Sequence, residues 1–466
     1  MKKLSVLALY MLAMAVVYGS FLDNPFIMDD EIHIVENRHI HNLSKWPSYF
    51  TSSSMDSGGA EKMQGIYYKP LLMTYFAVIY NFFGADPVAY RLPNYVLHSA
   101  NSYLIFLIAT GFLPFVWAAV LGGLFLLHPA NAEVVLYICD MQDILYLFFG
   151  LLSLLVAIHA RTRAVLFAGL SACFWLGLFS KETAALFLVI SNFYLFLFRR
   201  SFLATGAIAA GWVTVGYAVL RWSIDLVSTK SHHLLFHQVG YLERAQTFPL
   251  IWAHYFELLF WPERLSLTTD YVVRELSFSV FWGPLLFFAG VLFLIGVGFF
   301  YFKRKSHSEK KWFWFFCFVL LCWFGLHSHI LVPLDGIYTD RWLYLAVWAF
   351  LAIVVLIVSR LPQQRTFLFL AAVVICAYGA RDFIRGQDWQ NPLRLYSREL
   401  ELHPHDAVMS NNVGVSLFRQ GNWQESKRYF IRSTELNPSW NVAYNNWGAI
   451  EEKEGEFEKA LELYRT

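Results

Sequence analysis

Long apolar runs separated by short polar segments make up most of the chain. A helix needs about 20 apolar residues to cross the hydrocarbon core of a bilayer, and eleven runs approach or reach that length. Two shorter runs, 71–83 and 248–261, favour helices that lie along the membrane surface. The pattern therefore predicts an all-α polytopic membrane protein with eleven spans, at residues 4–22, 92–110, 114–128, 142–160, 164–179, 183–198, 203–222, 279–302, 312–331, 342–360 and 366–381.

The pattern changes near residue 384. Residues 385–466 hold 22 of the 70 charged side chains of the chain, so we predict a membrane domain at 1–384 and a water-exposed tail at 385–466. Over the whole chain, 57% of residues are hydrophobic and 15% are charged, whereas soluble domains average about 25% charged residues. This composition excludes a chain of soluble domains, and the net charge of +2 gives no basic surface for nucleic acid.

Charge also orients the predicted spans. With the amino terminus in the cytoplasm, the short inner loops collect 13 of the 26 Lys and Arg residues of the membrane domain, as the positive-inside rule expects. Counting 71–83 as a span would reverse this distribution. An odd number of spans places the tail outside, on the side that carries all the acidic residues of the membrane domain except Glu309. The inner basic residues are Lys2, Lys3, Arg161, Arg163, Arg199, Arg200, Lys303, Arg304, Lys305, Lys310, Lys311, Arg360 and Arg365.

The tail repeats with a period of 34 residues. This period, with its Gly, aromatic and Pro positions, resembles the tetratricopeptide repeat, whose helix pairs stack into a solenoid that binds peptides or partner proteins. A spacer or an assembly surface is the alternative. The matching positions are Asn411-Asn412-Val413-Gly414 with Asn445-Asn446-Trp447-Gly448, Gly421 with Gly455, Phe430 with Tyr464 and Tyr396, and Asn437-Pro438 with His403-Pro404.

The first outer loop, residues 23–91, carries three consecutive acidic residues, Asp29, Asp30 and Glu31, directly after the first span. Repulsion between close carboxylates raises the pKa of one of them toward neutrality, which suits a general base. We therefore predict Asp29 and Asp30 as catalytic candidates on an exposed loop. The alternative interpretations are a solvated loop start and a metal-binding acidic turn.

Three cations, Lys69, Lys181 and Arg341, lie at the same predicted depth on the outer face. Such a set suits a lipid phosphate, although each cation alone is also explained by snorkelling or by an ion pair with a neighbouring acid. The five Cys residues have no metal-ligand spacing, so no metal site is predicted, and a need for a divalent metal is left open. Four further polar residues at this face are predicted to shape the site: His128, Glu133, Asp143 and Glu182.

In their order along the chain, these segments resemble the transmembrane and tetratricopeptide-repeat-containing O-mannosyltransferases and, more broadly, the GT-C glycosyltransferases. The chain departs from the family pattern at Lys69, where Arg is usual, at Asn131, where His is frequent, and before Asp140, where an Arg is missing. The segments that carry the resemblance are Asp29-Asp30…Asn37, Tyr68-Lys69-Pro70-Leu71, His128-Pro129…Glu133, Asp143-Ile144-Leu145, Ser180-Lys181-Glu182-Thr183, Leu265-Ser266-Leu267…Asp270-Tyr271 and Asp340-Arg341-Trp342-Leu343-Tyr344-Leu345.

The resemblance implies an inverting transfer of a sugar from a polyprenyl-phosphate donor to a hydroxyl acceptor, a protein Ser or Thr, with the lipid-linked sugar as donor substrate. Asp29 or Asp30 would act as the base, and Lys69, Lys181 and Arg341 would neutralise the leaving phosphate. The tail has far fewer repeats than animal members of the family carry, and this short tail and the plain amino terminus indicate a bacterial inner-membrane protein, in which the outer side, with the site and repeats, would be the periplasm. The alternatives are an envelope oligosaccharide ligase or polymerase, and a non-enzymatic membrane-anchored repeat scaffold or transporter.

Overall fold

The computed structural model describes residues 2–54, 67–224, 240–267, 272–303, 306–330, 334 and 337–465, so the motif residues Asp270 and Tyr271 lie outside it. All longer regular elements in these ranges are helices. They are α1 (Lys2–Tyr18), α2 (Pro70–Phe83), α3 (Pro87–Ala109), α4 (Phe115–Leu126), α5 (Ala132–Leu136), α6 (Met141–His159), α7 (Arg163–Ser180), α8 (Ala185–Phe198), α9 (Leu203–Ser223), α10 (Tyr241–Phe260), α11 (Gly283–Lys303), α12 (His307–His327), α13 (Tyr344–Val358), α14 (Gln364–Asp388), α15 (Pro392–Leu402), α16 (Ala407–Arg419), α17 (Trp423–Leu436), α18 (Asn441–Glu454) and α19 (Phe457–Arg465).

Local sequence sets where the helices near the candidate site begin. Pro70 and Pro87 occupy the first turns of α2 and α3, where the missing proline N–H costs no helical hydrogen bond. The Asp86 carboxylate caps α3 by accepting a hydrogen bond from the backbone N–H of Val88 at 3.0 Å. As a result α2 starts immediately after Lys69, which places that side chain at the end of a helix.

Seven helical segments among the described residues are long and apolar enough to cross a bilayer, and an eighth is counted if a pair bent by 50° is one span. The structure thus confirms several membrane-length helices. The other predicted spans, 92–110, 183–198 and 312–331, coincide with α3, α8 and α12, which are shorter or less apolar, so the number eleven stays a prediction. The seven segments are Lys2–Phe21, Ile138–His159, Arg163–Ser180, Arg200–Ser223, Phe278–Gly298, Asp340–Val358 and Gln364–Asp388, and the bent pair is Phe115–Leu126 with Pro129–Leu136.

A buried polar network links four helices in the centre of the bundle. His98 on α3 lies 2.7 Å from the hydroxyl of Tyr344 on α13 and 3.0 Å from the carbonyl of Leu126 on α4. Asn101 on α3 donates to the same Tyr344 hydroxyl at 3.1 Å and to the carbonyl of Ile144 on α6 at 3.0 Å. Hydrogen bonds between helices stabilise packing where lipid supplies no hydrophobic driving force.

The tail forms two helical hairpins, α16–α17 and α18–α19, that follow the 34-residue period. A Cβ atom added at Gly414 would lie 2.6 Å from the ring of Phe430, and one added at Gly448 would lie 2.6 Å from the ring of Tyr464. These glycines therefore allow the same close approach of paired helices in each hairpin. Gly421 and Gly455 have positive φ angles of 82° and 85° after α16 and α18, where a left-handed residue ends a helix.

The predicted domain boundary at residue 384 lies inside a continuous helix. α14 runs from Gln364 to Asp388, so the change in composition occurs without a break in the backbone. The assignment of 1–384 and 385–466 as separate domains stays a prediction.

A Gly386→Ala substitution tests the packing of α14 against the end of the first helical segment. The added Cβ would lie 2.2 Å from the Phe21 ring, and overpacking of this kind costs about 1–3 kcal/mol. We expect a lower melting temperature of the purified protein in detergent. Gly211→Ala in α9 is the control, since nothing lies within 4 Å of its Cβ position and alanine favours a helix by about 1 kcal/mol. Equal melting temperatures of the two variants would contradict this packing.

Candidate active site

A buried arginine holds the chain just ahead of the acidic segment. Arg91 on α3 is 2% exposed, and its guanidinium donates to the carbonyls of Leu22, Asn24 and Pro25 at 2.8, 2.7 and 3.2 Å. It also donates to the carbonyl of Leu136, at the end of α5, at 3.1 Å. One side chain thus ties the start of the first loop to α5. Sequence reasoning missed Arg91, although a charged residue at the edge of an apolar helix is itself a signal of a built site.

Asp30 is an anchor of this loop. It is 1% exposed, and its two carboxyl oxygens accept hydrogen bonds from the backbone N–H groups of Cys139 at 3.0 Å and Ile27 at 3.3 Å. Burial raises the pKa of Asp30 from 3.8 to about 7, against the opposing effect of these hydrogen bonds and of the Arg91 charge. The prediction that both aspartates lie exposed is therefore wrong for Asp30, because the loop folds inward onto residue 139.

Asp29 differs from its neighbour in having an exposed side chain. Its backbone N–H donates to the hydroxyl of Tyr137 at 3.1 Å, and the Asn94 side chain donates to the carbonyl of Tyr137 at 3.2 Å. The preceding residue, Met28, has a φ of 57°, in the left-handed region that non-glycine residues rarely adopt. The backbone is thus held in a strained turn while the Asp29 carboxylate stays open.

His33 lies on a short π-helical turn, Glu31–Val35, one turn after Asp29, and is 8% exposed. Burial lowers its pKa to about 4; the negative charge of Asp29 opposes this shift and the positive charge of Lys69 adds to it. His33 is therefore neutral at pH 7 and lies within electrostatic range of both charges. It was not predicted as a site residue, although it is the histidine nearest to the acidic run.

Lys69 is the predicted cation whose positive charge no acid of the described residues balances. Its ammonium lies 4.6 Å from the centre of the Tyr67 ring, and it forms no ion pair with any residue that the structure describes. Burial and the positive charge of Lys181 lower its pKa to about 8, while Asp29 and Asp143 oppose the shift. The Lys69 ammonium therefore lies within electrostatic range of Asp29, Asp143 and Lys181.

The other two predicted cations are neutralised by predicted acids. Lys181 donates to both carboxylate oxygens of Asp143 at 2.7 Å. Arg341 pairs with Glu133 at 2.8 Å, and its backbone N–H donates to the same carboxylate at 3.2 Å. Asp143 and Glu133 are 1% and 4% exposed. These acids therefore set the positions of the two cations. The positive charge of each cation is balanced by the carboxylate with which it forms hydrogen bonds.

Asp140 adds a buried carboxylate next to Arg341. It is 0% exposed and lies 3.9 Å from the Arg341 Nε atom. Its oxygens accept no hydrogen bond from the described parts of the chain. In the same described ranges, no three His, Cys, Asp or Glu side chains are placed to hold a metal ion.

Two of the predicted site residues, His128 and Glu182, form no ion pair with Lys69, Lys181 or Arg341 in the described parts of the chain. The Nδ1 atom of His128 accepts from the Ala130 N–H at 3.3 Å, and its Nε2 lies 3.4 Å from the carbonyl of Leu259, so the ring links two backbone segments. Glu182 is more than half exposed and forms an ion pair with Arg221 at 3.2 Å.

Sequence comparisons with known proteins find similarity to the family that the motifs resemble. No family model matches the chain. Protein O-mannosyl-transferase tmtc2 of Xenopus laevis is 30% identical over 196 residues, which cover 39% of this chain and 23% of that protein. Protein O-mannosyl-transferase Tmtc1 of Drosophila melanogaster is 31% identical over 138 residues, 28% of this chain and 15% of that protein. Human TMTC3 is 20% identical over 441 residues, 86% of this chain and 48% of that protein.

The chain resembles the TMTC O-mannosyltransferases. This confirms the resemblance predicted from the order of the motifs, while the chain spans less than half of the length of the TMTC proteins above. Among solved structures, ArnT from Cupriavidus metallidurans bound to undecaprenyl phosphate matches with a TM-score of 0.48 and 14% identity, over 96% of this chain and 77% of ArnT.

The raised pKa of Asp30 predicts a specific pH dependence of stability. A carboxyl group with a folded-state pKa above its unfolded value stabilises the fold at low pH, and this stability is lost as pH rises from about 4 through about 7. At about 1.4 kcal/mol per pKa unit, the loss amounts to roughly 4 kcal/mol at most. We expect Asp30→Asn to flatten the decline of the melting temperature between pH 4 and pH 7.5.

The control for this measurement is Asp23→Asn, which changes an exposed carboxylate of the same loop and should keep the wild-type profile. If Asp30→Asn and wild type lose stability in parallel over this pH range, the buried carboxyl group is not the titrating group.

Proposed function

We propose that this chain is an integral membrane glycosyltransferase of the GT-C type, which moves a sugar from a polyprenyl-phosphate donor to a hydroxyl acceptor. The observation that carries the proposal is an exposed carboxylate, Asp29, within electrostatic range of the Lys69 ammonium at the start of α2; this ammonium forms no ion pair with the described residues. Such a pair provides a base and an anion-binding group side by side. The sequence similarity to protein O-mannosyl-transferases supports a protein Ser or Thr as acceptor.

In the proposed reaction, the acceptor oxygen attacks the anomeric carbon of the sugar from the face opposite to the phosphate. Asp29 takes the hydroxyl proton as the new C–O bond forms. The bond between the anomeric carbon and the phosphate oxygen breaks, and its electron pair leaves with the polyprenyl phosphate. The configuration at the anomeric carbon is therefore inverted.

The assignment of the base to Asp29 rests on the difference between the two aspartates. Both oxygens of Asp30 accept backbone hydrogen bonds in a buried position, so neither is available to an incoming hydroxyl. Asp29 has an exposed carboxylate, and among the described residues its hydrogen bond is made by the backbone N–H, to the Tyr137 hydroxyl. Asp30 then orients the turn from which Asp29 extends.

Charge on the leaving phosphate needs stabilisation more than it needs acid catalysis. Lys69 supplies the charge that no described acid neutralises. Lys181 and Arg341 add donors whose charges are balanced by Asp143 and Glu133. The cluster is thus held rigid before substrate binds, and only one of its cations gains a new ionic partner from the phosphate.

We also propose eleven spans, a tetratricopeptide tail at 385–466 and a bacterial inner-membrane location with the site on the periplasmic side. The clustering of Lys and Arg in one set of short loops supports this orientation. The equivalent Gly–aromatic contacts of the two tail hairpins support the repeat assignment, and tetratricopeptide arrays bind extended protein segments. The tail would then recruit a protein acceptor.

Asp29→Asn should lower the rate of sugar transfer about a hundredfold or more, the scale of a lost general base, with a melting temperature close to that of wild type. Rates would be measured with purified protein, a labelled undecaprenyl-phosphate mannose and a Ser/Thr-rich peptide. Asp23→Asn is the matched control and should retain the wild-type rate. Normal transfer by Asp29→Asn would place the base elsewhere.

Lys69→Met and Lys181→Met should affect different properties, the first phosphate binding and the second stability. Lys69→Met should weaken binding of undecaprenyl phosphate about tenfold to a hundredfold, because a hydrogen bond to a charged group contributes about 1.5–3 kcal/mol. Wild-type binding should also weaken as pH rises above about 8, where Lys69 loses its proton. Lys181→Met should instead lower the melting temperature, since it leaves Asp143 buried without a partner.

Affinity would be measured by titration calorimetry in detergent, with the exposed Lys45→Met as control. Unchanged affinity in Lys69→Met would remove this residue from the phosphate site. Recovery of the melting temperature in the double variant Lys181→Met, Asp143→Asn would show that the single variant failed through the unpaired carboxylate.

A further inference from the structure

The third acid of the segment, Glu31, has no part in the proposed chemistry, yet its carboxylate is fully engaged. Its Oε1 and Oε2 atoms accept from Nη1 and Nη2 of Arg419, each at 2.8 Å. Arg419 is the last residue of α16, in the first hairpin of the tail. A two-pronged contact of this kind fixes direction as well as distance. The tail thus reaches a point two residues from Asp29.

A second contact joins the tail to the other side of the site. Glu399 on α15 is 0% exposed and accepts from the Ser266 hydroxyl at 2.9 Å, the Leu267 N–H at 2.8 Å and the Arg385 guanidinium at 2.8 Å. The Ser266 N–H in turn donates to Asp340 at 2.7 Å, the residue before Arg341. The helices α15 and α16 therefore contact the segments that carry both the acidic run and one of the cations.

The two contacts differ in what they can contribute. Glu399 is buried, so it belongs to the packing that keeps the tail attached. The side chains of Arg419 and Glu31 are 58% and 31% exposed, and an exposed ion pair contributes only about 0.2–1 kcal/mol. That is too little to decide whether the protein folds, but it is enough to bias a short turn between two conformations.

The turn that Glu31 occupies needs such a restraint. It begins after Met28, with its positive φ, and continues as a single π-helical turn, Glu31–Val35. A positive φ at a non-glycine residue costs energy, and an isolated π-helical turn is rare, so both features persist only where surrounding contacts hold them. Arg91 and Asp30 restrain the chain at one side of the turn, and Arg419 restrains it from the tail.

We propose that Arg419 is a positioning residue that acts through Glu31 to hold the turn in the conformation that presents Asp29. The tail is then part of the site as well as a surface for other proteins. The kinetic consequence rests on the proposed transferase function, whereas the effect on the turn does not.

The test combines hydrogen exchange with kinetics on the full-length protein in detergent. In Glu31→Gln and Arg419→Gln, amide exchange in residues 28–36 should rise about two- to fivefold, the factor that corresponds to up to about 1 kcal/mol. The melting temperature should stay unchanged. The value of kcat for transfer from undecaprenyl-phosphate mannose should fall by a similar factor with an unchanged donor KM.

Two further variants separate positioning from a general effect of charge. The reversed pair, Glu31→Arg with Arg419→Glu, should restore both slow exchange and kcat. Arg398→Gln is the matched control, because it removes another exposed ion pair of the tail, between Arg398 and Glu401, without contact to the acidic segment. In 1 M salt, where the Debye length falls to about 3 Å, the ion pair should weaken, and exchange in wild type should become faster, toward that of Arg419→Gln.

Each result decides the proposal. Unchanged exchange in Arg419→Gln, or an equal rise in Arg398→Gln, overturns it whatever the activity shows. Faster exchange with an unaltered kcat in a protein that Asp29→Asn inactivates also overturns it, since the turn would then not position the base. Faster exchange in a protein for which Asp29→Asn has no effect counts against the proposed function and leaves the restraint of the turn established.

Discussion

The burial of one guanidinium is the constraint on which the rest of the candidate site depends. Arg91 stays charged in a protein interior, so each of its donors must find an acceptor or the burial costs several kcal/mol. Four backbone carbonyls, from residues 22, 24, 25 and 136, provide these acceptors. The backbone of the first loop is thereby fixed against α5. The hydrogen bonds that Asp30 accepts from the N–H groups of Ile27 and Cys139 then hold the following residues, next to the exposed Asp29.

Charge compensation then determines what each polar group of the site does. Asp143 and Glu133 are buried and would be costly without partners, and Lys181 and Arg341 pair with them. The acids and cations of the cluster thus hold one another in place. Lys69 lies near a second positive charge and forms no ion pair in the described ranges. It is therefore the group from which an incoming anion gains the largest electrostatic stabilisation.

The tail is joined to the membrane domain more closely than its composition suggests. α14 continues without interruption past residue 384, and Glu399 is buried among Ser266, Leu267 and Arg385. The rise in the density of charged residues after residue 384 predicts that the chain passes from lipid to water. It does not require a hinge between the two regions, since one helix, Gln364–Asp388, runs across this point. The packing of α15 against Ser266 and Leu267 makes the two regions one continuous structure at this point.

Helix positions, the apolar character of the chain and the 34-residue period could be predicted from the sequence, because each depends on residues close together along the chain. The polar segments and their order along the chain could also be predicted, because long hydrophobic runs separate one polar segment from the next. The sequence could not distinguish Asp29 from Asp30, nor Lys69 from Lys181, because burial and ion pairing are set by residues far away in the chain. Only the tertiary structure brings Cys139 to Asp30 and Arg419, 388 residues away, to Glu31, and such contacts leave no local pattern for sequence reasoning to detect.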